Sequence, residues 1–155
     1  MRISLALAIS FACAGFGCGG DDETDCTEQM FEKYGTTAFL AVNNSIIDYA
    51  VAAPTSSVGT SFQDLAAAGT TRVEEFRGNL ANFLVFVYGG PNNYQGPSME
   101  DAHEGLAITS DQYDYFVTSV IVPALTDNGV PMEDINNCFA PPVLDADFKA
   151  SIVNQ

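Results

Sequence analysis

Tyr88-Gly-Gly-Pro-Asn-Asn-Tyr94-Gln-Gly-Pro-Ser-Met99-Glu-Asp-Ala102-His103-Glu-Gly-Leu106-Ala-Ile108 is the stretch on which the fold of this chain turns. It holds the only histidine among 155 residues. Gly89-Gly90-Pro91 must end any helix that reaches it, because glycine supplies a left-handed turn and proline cannot continue a helix. Met99, Ala102, His103 and Leu106 then recur at three- and four-residue spacing, the signature of one face of a short helix. A lone histidine on an apolar helix face is most often an ordinary half-buried or surface residue. The frame around His103 is therefore what gives it meaning.

Upstream, Val73, Phe76, Leu80, Phe83, Leu84 and Val87 form one wide apolar helical stripe that runs into the double glycine. Met30-Phe31-Glu-Lys-Tyr34-Gly35 reads as a short helix stopped by its glycine. Ala38–Ala52 reads as a second helix, carrying Phe39, Val42, Ile46 and Ile47 and ended by Pro54. Thr55–Ser61 reads as a loop. Downstream, Tyr113, Phe116, Val117, Val120, Ile121, Ala124 and Leu125 repeat the helical spacing, and Pro123 should kink or break it. Met132–Phe139 starts a last helix, divided by Pro141-Pro142 from Val143–Val153. No period-two run and no Asn-Gly or Asp-Gly hairpin occurs. The fold class expected is all-α, with short connections favouring a bundle.

The segment at 88–108 resembles the proximal haem-binding segment of the group I truncated haemoglobins, whose pattern runs GGP, Tyr, Gly, Met, Ala-His, Gly-Leu, Ile in this order. Met30–Gly35 resembles the opening of the same family, with Thr36 in place of a second glycine. The resemblance covers about residues 28–155 and implies the truncated two-over-two globin fold. It also implies haem b (iron protoporphyrin) as cofactor, His103 as the proximal iron ligand, and O2, NO or CO as the gas bound. The residues fit such a role. Neutral imidazole is a common axial donor. Ala102 is small enough to let the macrocycle approach, and Met99 and Leu106 stand one turn away on the same face.

On the other side of the haem, the chain departs from the family. The helix position that usually carries a polar Gln is Leu80, with Phe76 one turn earlier. The position that usually carries a distal Tyr is Ile47, preceded by Ile46, although a two-residue shift would bring Tyr49 there. A charge-assisted hydrogen bond to bound dioxygen contributes roughly 1.5–3 kcal/mol, and an apolar pocket lacks it. Fast O2 release, with CO or NO better retained, is the expectation. Phe62 is expected to wedge the haem, Leu84 to belong to the pocket stripe, and Phe116 and Ile121 to close the floor or serve as plain core. Arg72 and Arg77 are the expected partners of the haem propionates.

The ends and the bulk numbers set the context. Formal charge is −15, from five basic and twenty acidic residues, so the surface repels nucleic acid and anionic lipid. With 47% apolar residues, one domain can bury a core. Residues 1–17 read as a signal peptide: Arg2, then an apolar run too short to span a bilayer. Gly15-Phe-Gly-Cys18 looks like a bacterial lipoprotein box, which makes Cys18 the lipid-bearing residue. Gly15 and Phe16 depart from the usual box, leaving another cleavage point open. Residues 18–27 read as a lipidated polar tether and 28–155 as the globin domain. Export to the periplasmic side of a bacterial envelope follows, with membrane contact only through the lipid. Cys13 lies in the signal, so Cys26 and Cys138 are the pair left for a disulfide, the alternative being two unpaired thiols.

No zinc spacing, phosphate loop or nucleophile elbow is present. No catalytic residue is assigned. An NO dioxygenase would need a stable oxy form and an electron donor of unknown identity, and the apolar pocket argues against it. The alternative from another class is a haem-free globin-fold lipoprotein acting as an interaction module, and a further one is a haem carrier or electron-transfer module. Against the haem-free module stands His103, for which it has no physical need.

Overall fold

Gly35 sets the course of the first long helix. In this computed structural model, which describes residues 26–155, a 3₁₀ turn at Cys26–Gln29 leads into α1, Met30–Ala52. Gly35 bends α1 at φ 73° and ψ 170°, a backbone conformation that a side chain would strain. The two helices expected on either side of Gly35 are thus joined end to end.

Beyond Pro54 the expected loop is partly helical: α2, Thr55–Val58, buries Val58 at its end. A single turn started by a proline leaves no periodicity in sequence. The chain then forms α3, Ser61–Ala67, and α4, Thr70–Val87, followed by α5, Met99–His103. Next come α6, Ser110–Phe116, and α7, Val122–Asp127, then α8, Met132–Asp134, α9, Ala140–Leu144, and α10, Ala146–Ala150. Among the described residues there is no strand, and the all-α expectation holds.

The prolines act differently from expectation. Pro123 does not break its helix. A π-helical turn at Val117–Ile121 joins α6 to α7, and the Val122 N–H reaches back five residues to the Val117 carbonyl. Pro123 has no N–H to continue the ordinary ladder, so widening it by one residue just upstream leaves no donor missing. Pro141-Pro142 repeats the device. A π-helical turn at Ile135–Phe139 precedes α9, the Ala140 N–H bonds to the Ile135 carbonyl, and both prolines sit inside the helix. The division expected there falls instead at Asp145, whose side chain caps α10 by accepting from the Asp147 and Phe148 N–H groups.

α1 packs along α4 and α7, and α2 packs on α6. Phe39, Val42, Ile46 and Ala50 of α1 meet Val120, Ala124, Leu125, Ile135 and Phe139 in the main core. The Asn43 amide, fully buried, donates to the Arg77 carbonyl at 3.0 Å and ties α1 to α4. Cys26 and Cys138 form a disulfide between the first turn and the second π turn. Cys26 and Thr27, assigned above to the tether, therefore belong to the folded domain. Thr27 is 5% exposed and its hydroxyl donates to the Cys138 carbonyl at 3.0 Å. The expected signal peptide at 1–17 and the rest of the expected tether, with Cys13 and Cys18, lie outside the described residues. No described helix is long and apolar enough to cross a membrane.

Candidate functional site

α5 is five residues long, too short to hold by propensity. Ser98 caps it by accepting from the Asp101 N–H at 3.1 Å. The chain after it is pinned by the C-terminus. The Asn154 N–H donates to the Ile108 carbonyl at 2.9 Å, and the Ala107 N–H to the Gln155 carbonyl at 3.2 Å. His103 ends α5. Its Nδ1 lies 2.7 Å from the Met99 carbonyl, one turn back. A carbonyl can only accept, so Nδ1 carries the proton and the Nε2 lone pair is left for another partner.

The His103 ring lines a cavity of about 680 Å³. That lies within the roughly 300–1,000 Å³ of ordinary cofactor pockets. Its walls come from α3, α4, α5, α6, the first π turn and the C-terminal segment. Of the residues expected at the site, His103, Met99, Leu106, Phe62, Phe76, Leu80, Leu84, Phe116, Ile121 and Arg72 all line it. Phe62 stacks on Phe116 at 5.5 Å between centroids and meets Phe76 edge-on at 6.1 Å. With Leu80 and Ile121, these rings make one wall wholly apolar.

A family model described as bacterial-like globin matches residues 59–143, just over half of the chain. The chain belongs to the bacterial-like globins. It is also 32% identical over 66 residues to a group 1 truncated hemoglobin of Mycolicibacterium paratuberculosis. That overlap covers 43% of this chain and 48% of the relative, so the chain spans about half the length of the curated relative it matches. The family match runs from α3 to α9 and encloses His103 and every wall residue named above.

Three expected residues lie outside the cavity of this globin. Ile46 and Ile47 are 3% and 2% exposed but face inward from α1. Phe62, Leu80, Leu84, Phe116 and Ile121 line the cavity on one side and pack on the main core on the other, so α1 is screened from it. Ile46 borders instead a separate apolar void of about 40 Å³. Arg77 pairs with Glu74 at 3.4 Å and bonds the Asn44 side chain. It stands five residues after Arg72, about 140° around the helix, and so points elsewhere. Tyr49, the alternative distal residue, hydrogen-bonds Asp127 on α7 and is not part of the cavity lining.

The cavity of the globin also contains polar groups the sequence reading did not name. Asp64, Glu75 and Asn79, all exposed, stand at its mouth with Arg72, whose guanidinium pairs with Glu75 at 2.9 Å. Asn79 lies seven residues after Arg72, on the same face, and that spacing was the available signal. Gln112 lines the cavity while its carbonyl accepts from the Thr109 N–H in a capping box with Thr109. The Thr-x-x-Gln spacing was the signal for that one. Phe148 and Ile152 line the cavity from the C-terminal segment, beside Met99. Tyr113, packed with them, donates to the Val143 carbonyl at 2.5 Å, and burial, aided by Asp114 and Asp145, pushes its phenol up to about 12.

Proposed function

We propose that this globin binds iron protoporphyrin, with His103 Nε2 as the axial ligand, and takes up a diatomic gas on the opposite face. The observation that carries this reading is the 2.7 Å contact of His103 Nδ1 with the Met99 carbonyl, beside a large apolar cavity. That contact fixes the tautomer that presents a neutral donor nitrogen, as histidine ligands elsewhere require. Haem, when bound, supplies an open iron position at which O2, NO or CO coordinates.

The chain's own residues do the rest. Met99 and Leu106 pack on the histidine side. Phe62, Phe76, Leu80 and Phe116 exclude water and offer a bound gas no hydrogen-bond donor from that wall. Arg72 offers one cation to the propionates, against the like charge of Asp64 and Glu75. O2 held against that wall would dissociate fast, while CO, far less polar when bound, would lose little; Gln112 and Asn79, the cavity's amides, belong to other parts of the lining. Oxygen carriage or gas capture suits this wall better than NO dioxygenation, which needs a long-lived oxy form. A signal peptide at 1–17 and a lipid on Cys18 would tether the domain to the periplasmic side of a bacterial envelope.

The test is an absorption spectrum of residues 19–155 reconstituted with haemin, beside His103→Ala. A sharp Soret band that shifts on reduction and with CO, and collapses in the variant, supports the reading. A band indifferent to the substitution, or none, would show a globin fold that has outlived its cofactor.

A further inference from the structure

The double glycine that ends α4 is dictated by the N-terminal turn. A Cβ on Gly89 would overlap the Glu28 carbonyl, and one on Gly90 would come within 2.8 Å of the Phe31 ring. The Phe31 N–H donates to the Tyr88 carbonyl at 2.9 Å. The Tyr88 hydroxyl donates to the Phe139 carbonyl at 2.7 Å. Residues 26–31 thus lie directly on the corner where α4 ends and the segment leading to His103 begins. The Cys26–Cys138 disulfide and the Thr27 bond to the Cys138 carbonyl hold that turn in place. The segment beyond the corner has mostly local ties, Asn93 N–H to the Pro91 carbonyl and Tyr94 hydroxyl to the Pro97 carbonyl. Its upstream end is fixed by the corner itself.

We propose that the Cys26–Cys138 disulfide is a redox-sensitive grip on the haem segment. Reduced, it frees the turn at 26–29, loosens the corner at Gly89-Gly90, and speeds haem release. This rests on the haem reading of His103. Cys26 is half-buried and Cys138 is 4% exposed, so an external dithiol attacks the Cys26 sulfur. The S–S bond breaks as a mixed disulfide forms at Cys26, and Cys138 leaves as thiolate. The reductant's second thiol then closes its own disulfide and expels Cys26. Two electrons pass from the dithiol to the protein, and its two protons end on the cysteines. The two cysteines stand 112 residues apart in sequence, so once the bond is reduced the turn is tied to the second π turn by non-covalent contacts alone.

Two measurements test this on the full chain. Haem transfer to an excess of a haem-accepting apoprotein is timed for the oxidised protein and for the Cys26→Ser, Cys138→Ser double variant. Release is expected to be roughly tenfold faster in the variant, within the range of ordinary site-to-site coupling. Amide hydrogen exchange of the haem-free wild type is then followed with and without dithiothreitol. Exchange at 86–98 should rise on reduction while that of α7 holds. Exchange at 86–98 that ignores reduction overturns the grip, whether or not the variant folds. Faster exchange with unchanged haem release overturns its link to the cofactor. A wild type that takes up no haem sinks the haem reading, and the exchange result still judges the grip.

Discussion

At His103 a single hydrogen bond decides which ring nitrogen is left for the cavity. With Nδ1 committed to Met99, only Nε2 can face the cavity, and a truncated side chain leaves an imidazole-sized gap there. Added imidazole is therefore expected to restore a Soret band to His103→Ala, whereas a variant that had merely unfolded would not respond. The opposite wall makes a separate claim. Leu80→Gln places an amide on the cavity face, and O2 dissociation measured by flash photolysis should slow by roughly 10- to 100-fold, the equivalent of one charge-assisted bond, with CO little changed. Ile47→Gln buries its amide in the core instead, so it should lower thermal stability and leave O2 release alone. That contrast reflects what the residue pattern carried. Phe76 and Leu80 could be set on one face because they stand four residues apart on α4, whereas His103, on α5, stood out through the frame at 88–108. Ile46, Ile47 and Arg77 were misplaced because spacing does not say which face of a helix meets which neighbour.

The short helix α5 is held by its ends, so its elements carry the energy that its length cannot. Ser98→Ala removes the only side-chain cap of α5 and should cost about 1 kcal/mol of stability. In the haem-bound form proposed above, part of that loss would fall on the bound state, so haem transfer to an acceptor should quicken while the position of the Soret band holds. A shifted band would mean that the cap sets ligand geometry rather than helix stability. At this scale the long helices were readable from their apolar stripes, and the stops at Gly35 and Pro54 from their residue types. The π turns were not. They arise where a helical stripe runs into Pro123 or Pro141, and a local rule that proline ends helices does not include the tertiary packing of Val120, Ile135 and Phe139 that keeps the helix going. The close approach of Glu28 to Gly89 was equally hidden, since it joins residues 61 positions apart.

Across the whole molecule, buried and half-buried phenols tie early segments to late ones. Tyr34 of α1 donates to Asp134 of α8, Tyr88 to the Phe139 carbonyl, and Tyr113 to the Val143 carbonyl. Each bond needs the phenol protonated. Burial, with Asp134 beside it, pushes Tyr34 up to about 12; burial does the same for Tyr113 and moves Tyr88 further in that direction. All three stand above the ordinary value of 10.0 in the fold. The unfolded chain therefore loses these protons first, and their contribution, complete below pH 10, drains away as pH rises toward 12. Asp134 runs the other way. The Lys33 ammonium and the Tyr34 hydroxyl hold its carboxyl below the ordinary 3.8, so its contribution is present above that value and is lost as pH falls beneath it. The thermal midpoint of the oxidised protein should hold through neutral pH and fall steeply above pH 10. Tyr34→Phe should start lower and fall less steeply, because one of the three protons is gone. An alkaline slope identical to that of the wild type would show that Tyr34 titrates alike in the folded and unfolded chain, and that the bond to Asp134 does not help hold α1 to α8.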